Sequence, residues 1–137
     1  MTDFISAALS ENYLLAKSKR LYNKADDVYN IIRIPRYAFL SEVYVLVTVP
    51  VSGGTGSSSE LLVGFSGNQE TADPDAFIDS VADIETAGMY RMSADGQPGS
   101  AGKWFNSGSG MLTITIDNGD HTTLLDAHIF ARYAVIY

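Results

Sequence analysis

The sequence predicts an all-β fold, an antiparallel β-sandwich or jelly roll with one short internal helix and an N-terminal arm. Three observations predict it. Apolar and polar residues alternate at period two in several separate segments, loops rich in Gly, Ser, Asp and Asn divide those segments, and a single internal stretch carries helix-start chemistry. The alternating helix–strand rhythm of a parallel α/β sheet is missing. With 137 residues the chain has the size of one domain with one core.

Residues 1–25 read as the arm. Phe4, Ile5, Ala8, Leu9 and Leu15 fall on one face of a helix, so the arm is either a short helix or an extended segment, and the basic residues Lys17, Lys19, Arg20 and Lys24 follow it. Residues 26–137 form the sandwich. Its first strand runs from Val28 to Ile34. In the second, Val43, Val45, Val47 and Val49 oppose Glu42, Tyr44, Leu46 and Thr48, which places one face in the core. Weaker alternation marks strands from Glu60 to Phe65, Met111 to Ile116 and Ala127 to Tyr137. The loops between them are SGGTGSSS (52–59), SADGQPGSAGK (93–103), NSGSG (106–110) and DNGD (117–120). Asp73 as N-cap with Pro74 in the first turn, Phe77, Ile78, Val81 and Ala82 along one side, and Gly88 past the end predict the one internal helix. Its dipole favours Asp73, Asp75 and Asp79 near the positive end.

Composition excludes several function classes. Nine basic against sixteen acidic residues give a net charge of −7, which opposes nucleic acid and anionic membranes as partners. Charge is uneven, with +2 over residues 1–36 and −9 over residues 37–137. The absence of cysteine removes disulfides, thiolate nucleophiles and cysteine-based metal sites. The first residues lack a basic start and a sustained apolar run, so secretion by a signal peptide is not expected. The longest apolar run, Val43 to Val51, is far short of the roughly 20 residues a spanning helix needs, and a soluble protein is expected.

No chemical motif is complete. GQPGSAGK (96–103) has Gln97 where a P-loop needs its first glycine, and Trp104 where it needs Ser or Thr. His121 and His128 lack a nucleophile elbow and, in an extended stretch, point to opposite faces. Asp73, Asp75 and Asp79 have the spacing of a calcium loop without its glycine or its final Glu, so capping is the favoured role. Neither an enzyme nor a cofactor is expected. Trp104 and Phe105, beside a glycine-rich loop, are candidates for stacking on a sugar ring, against a core or subunit-contact role.

The strand DVYNIIRIP (27–35), the alternating valine strand, LVGF (62–65), TADPDAFIDSVADIETAG (71–88) and the aromatic-rich last strand resemble, in this order, small virion proteins of tailed bacteriophages. The resemblance covers residues 12–137 and points to capsid decoration or cement proteins. It implies a β-sandwich or jelly roll on the outer surface of the capsid, bound to the major capsid protein, with a homotrimer as the form that adds avidity. It also admits a neck or tail location, with Trp104 and Phe105 on a carbohydrate receptor. For the capsid or subunit contact the candidates are Phe4, Ile5, Leu9, Tyr13, Leu14 and Leu15 with Lys17, Lys19 and Arg20.

Overall fold

The structure is a computed structural model and describes residues 13–54, 59–81, 84, 86–92 and 102–136. Among them are nine strands: β1 (Tyr13–Lys17), β2 (Asp27–Ile34), β3 (Ala38–Val49), β4 (Glu60–Gly67), β5 (Glu70–Val81), β6 (Gly88–Arg91), β7 (Lys103–Phe105), β8 (Gly110–Asp117) and β9 (Asp126–Val135). Sheet 1 has the order β1-β9-β3-β6, with β7 also on β3, and sheet 2 the order β2-β8-β4-β5. All pairs are antiparallel and nested in sequence: β4 with β5, β3 with β6 and β7, β2 with β8, β1 with β9. Successive nested pairs alternate between the two sheets, which is the topology of a jelly roll.

The pleat turns every second residue inward. Val43, Val45 and Val47 of β3 and Ala127, Ile129 and Ala131 of β9 meet Leu61, Val63 and Phe65 of β4 and Leu112, Ile114 and Ile116 of β8 in one buried cluster. Phe105 of β7 stands edge-on to Phe65 of β4, ring centroids 5.9 Å apart, and links the sheets. Burying each such large side chain stabilises the fold by roughly 1.5–3 kcal/mol. The predicted valine face is present from Val43 to Val47, while Val49 is exposed. Upstream the parity changes. A register shift between Leu40 and Glu42 leaves Ser41 outside the ladder, so Ala38 and Leu40 also point inward.

The predicted helix at Asp73 is not found: these residues belong to β5. Its pairing with β4 is irregular, since Val63 opposes Ile78 but Phe65 opposes Asp73. Residues 74–77 therefore form a wide bulge. Ala76, Phe77 and Ile78 are all buried, and that burial together with the β4 ladder outweighs the local capping signal, because so short a helix has little stability of its own. Asp73 keeps a local role, accepting a hydrogen bond from the Asp75 amide at 3.4 Å.

Residues 1–12 of the expected arm lie outside the described residues. Tyr13–Lys17 is extended and pairs with β9 as an edge strand of sheet 1. Residues 18–24 stay tied to β9: the Ser18 amide donates to the Ile129 carbonyl, the Ile129 amide donates to Ser18 Oγ, and Leu21 bridges Ala127. Among the described residues, no helix is long and apolar enough to cross a membrane.

Candidate interaction surface

The outward sides of the sheets differ in chemistry. Across the outer face of sheet 1, Lys17 opposes Phe130, Phe130 opposes Tyr44, and Tyr44 opposes Arg91, which makes one row over four strands. On one side of this row lie Leu15, Arg132 and Glu42, and on the other His128, Leu46 and Met89. Leu15 is 64% exposed and Met89 53%. Leu15, Tyr44, Met89, Arg91, Phe130 and Arg132 line a shallow depression of about 270 Å³.

Charge on this face is mostly positive. Glu42 accepts the Tyr44 hydroxyl, and that hydrogen bond, ahead of burial and the carboxylate's charge, pushes the phenol above its ordinary pKa. Arg132 Nη1 lies 3.8 Å from Glu42 Oε2, and the Arg91 guanidinium lies over the Tyr44 ring, 5.6 Å from its centroid. Lys17, Arg91 and Arg132 thus exceed the one local carboxylate, in a chain of net charge −7.

Two buried asparagines and a carboxylate organise the ends of the sandwich. Asn68, at the β4–β5 turn with φ of 53°, accepts from the amides of Ser107 and Gly108 and donates to Glu70. Donors from Lys103 and Asn68 hold the Glu70 carboxyl below its ordinary pKa. At the opposite end Asn118 donates to Asp26 and the Lys24 carbonyl and accepts from the Leu125 amide. Buried Asp126 accepts from the Asn23 amide at 2.9 Å and from Arg20. Burial raises the pKa of Asp126, but the Asn23 amide and Arg20 outweigh it and hold the carboxyl below the usual range.

The sequence candidates separate accordingly. Phe4, Ile5 and Leu9 lie outside the described residues. Tyr13, Leu14, Leu15 and Lys17 are all in β1, and the pleat sends Leu14 and Leu15 to opposite sides; both are exposed. Lys19 is exposed, whereas Arg20 is engaged with Asp126. Trp104 is 36% exposed, but its neighbour Phe105 is fully buried, so an exposed ring for stacking comes from Trp104 alone. His121 Nδ1 lies 3.1 Å from the Gly53 carbonyl in the turn before β9, and His128 is on the outer face of that strand. Asp73 and Asp75 face one another, which raises the Asp73 pKa chiefly through their side-chain hydrogen bond. Among the described residues, no three His, Asp or Glu side chains converge as metal ligands.

Sequence reasoning did not single out Tyr44, Met89, Arg91, Phe130 and Arg132. One signal was present: the nominally polar side of the valine strand holds Tyr44 and Leu46, which is an odd composition for a face turned only to water.

No family model matches the chain, and no curated protein matches it in sequence. Its fold is that of chains in three solved phage capsids. A chain in the cyanophage Pam1 capsid asymmetric unit aligns at a TM-score of 0.67 and 12% identity, over 91% of this chain and 86% of that one. A chain of the acidic stable capsid of Helicobacter pylori bacteriophage KHP30 gives 0.61 and 17%, over 89% and 86%. A chain of the Ralstonia phage GP4 capsid gives 0.61 and 13%, over 91% and 84%. At these identities the likeness establishes the fold.

Proposed function

We propose that this chain is a structural protein of a tailed-phage virion without catalytic activity. It acts as a decoration or cement protein that binds the major capsid protein on the outer surface of the head, as a homotrimer. Fold alone does not define function, because jelly rolls serve many. The observation that carries the reading is that chains in three phage capsids share this fold over 84–86% of their own length and 89–91% of this chain. Preferential binding to the assembled shell would stabilise it by mass action, and a multivalent oligomer would add avidity.

Quantitative mass spectrometry of purified particles tests it. Abundance comparable with the major capsid protein is the expected result. A handful of copies per particle would move the chain to the neck or tail, and absence from the particle would overturn the reading.

A further inference from the structure

We infer that the outer face of sheet 1 is a docking surface for a carboxylate-bearing, apolar-centred patch on another protein; under the proposed function, that partner is the shell subunit. Three observations converge on it. On this face cations surround apolar side chains: exposed Leu15 and Met89 with half-buried Phe130 and Tyr44 form the centre, and Lys17, Arg91 and Arg132 the rim. Its residues come from four strands, so it is a property of the folded sheet and not of a free arm. Its local charge is opposite in sign to the chain's net charge of −7, so at close range the carboxylates of a partner are favoured on this face over the others. An aromatic and aliphatic centre enclosed by arginines is also the composition enriched in protein interfaces.

A second copy of the chain is the less favoured occupant. Its acidic counterpart is the β5 edge with exposed Glu70 and Asp79 and half-buried Asp73 and Asp75, which belongs to the other sheet and where Glu70 already pairs with Lys103. Docking sheet 1 of one copy on sheet 2 of the next is a heterologous contact that closes only for special rotations and otherwise propagates as a filament. Single-stranded nucleic acid also stacks on aromatic rows flanked by cations, but its continuous run of phosphates extends past the three cations of this face onto the acidic remainder of the molecule.

The test uses the full chain in two arms. In the first, amide chemical shifts are followed while a random copolymer of Glu and Tyr is added, with oligothymidylate as the comparison. Shifts centred on Leu15, Tyr44, Met89 and Phe130 are expected with the copolymer. Shifts confined to Lys19–Lys24, or tighter binding of oligothymidylate, would overturn the inference. In the second arm, Arg91→Gln with Arg132→Gln is compared with Arg33→Gln, an exposed cation on β2 of the other sheet, for binding to undecorated shells. The double variant should bind about tenfold more weakly or worse, while Arg33→Gln should bind as wild type. Equal binding by all three overturns the inference and leaves the virion reading standing. Wild-type protein that engages the copolymer through this face but ignores shells supports the docking surface and removes the shell as its partner. An oligomer that sedimentation shows to be dissolved by the double variant would assign the face to a second copy, against the inference.

Discussion

The two outer faces of the sandwich follow the same pleat and have opposite fates. On sheet 2, Asn30 opposes Thr113, Thr113 opposes Gly64, and the β5 bulge closes over that row, so that Thr113 and Gly64 are buried by the chain itself. A Cβ on Gly64 would overlap the Asp73 carbonyl oxygen. On sheet 1 the corresponding row is Lys17, Phe130, Tyr44 and Arg91, and Leu15 and Met89 beside it remain exposed. Where β5 lies on it, sheet 2 covers its outer side with the chain's own backbone over small residues, and among the described residues only Val28 on the edge strand β2 stands out as an exposed large apolar side chain. A sheet that presents aromatic and aliphatic groups among cations is suited to being covered by something else.

The sharpest way to break this contrast is Gly64→Ala. The clash is with backbone, which no side-chain rotation relieves, and the variant should lose about 3 kcal/mol, read from its urea midpoint. A near-neutral result would mean that the bulge rides loosely on β4. Removing the Asp126 carboxylate comes next. Asp126→Ala leaves the Asn23 amide without its acceptor and should cost about 2 kcal/mol. The pKa of Asp126 is lower in the folded chain than in the unfolded one, so its contribution is present above the unfolded pKa and fades as pH falls through the folded one. Wild-type stability should therefore drop on acidification in a way that Asp126→Ala does not.

Asp75→Asn should have a smaller effect of opposite sign. The raised pKa of Asp73 means that the folded pair holds its proton at pH values where the unfolded chain has released it, and loses that stabilisation as pH rises through the raised value. The variant should be more stable than wild type at pH 7, and the gain should disappear in acid, as thermal unfolding across pH would record. The smallest effect is expected on sheet 1. Met89→Ala, at a side chain half exposed to solvent, should change stability by less than about 0.5 kcal/mol. A large loss there would show that the face belongs to the fold and not to a contact.

What was legible in the sequence follows from the range of the forces involved. The inward side of β3 from Val43 to Val47 is written in local alternation, and so are the cores of β4, β8 and β9. The parity change at Ser41 is not, because the slip is set by pairing with β9 about ninety residues later in the chain. Likewise Asp73-Pro74 carries a strong local helix signal, and the outcome is decided by the pairing with β4, where Gly64 leaves room for the β5 backbone, and by the burial of Phe77 between the sheets. Trp104 and Phe105 look like one platform in the sequence, but adjacent residues of a strand point to opposite sides. The outer face of sheet 1 is assembled from β1, β3, β6 and β9, so of its members only Leu15 and Lys17 stand out in a linear reading as contact residues.

The most direct measurement is a reconstruction of purified particles at a resolution that separates the two sheets. The account predicts ordered sandwiches outside the head lattice, with the Lys17–Phe130–Tyr44–Arg91 row turned to carboxylates of the shell subunit beneath. Sandwiches seated through the threonine-lined face of sheet 2, or heads that carry none, would contradict it.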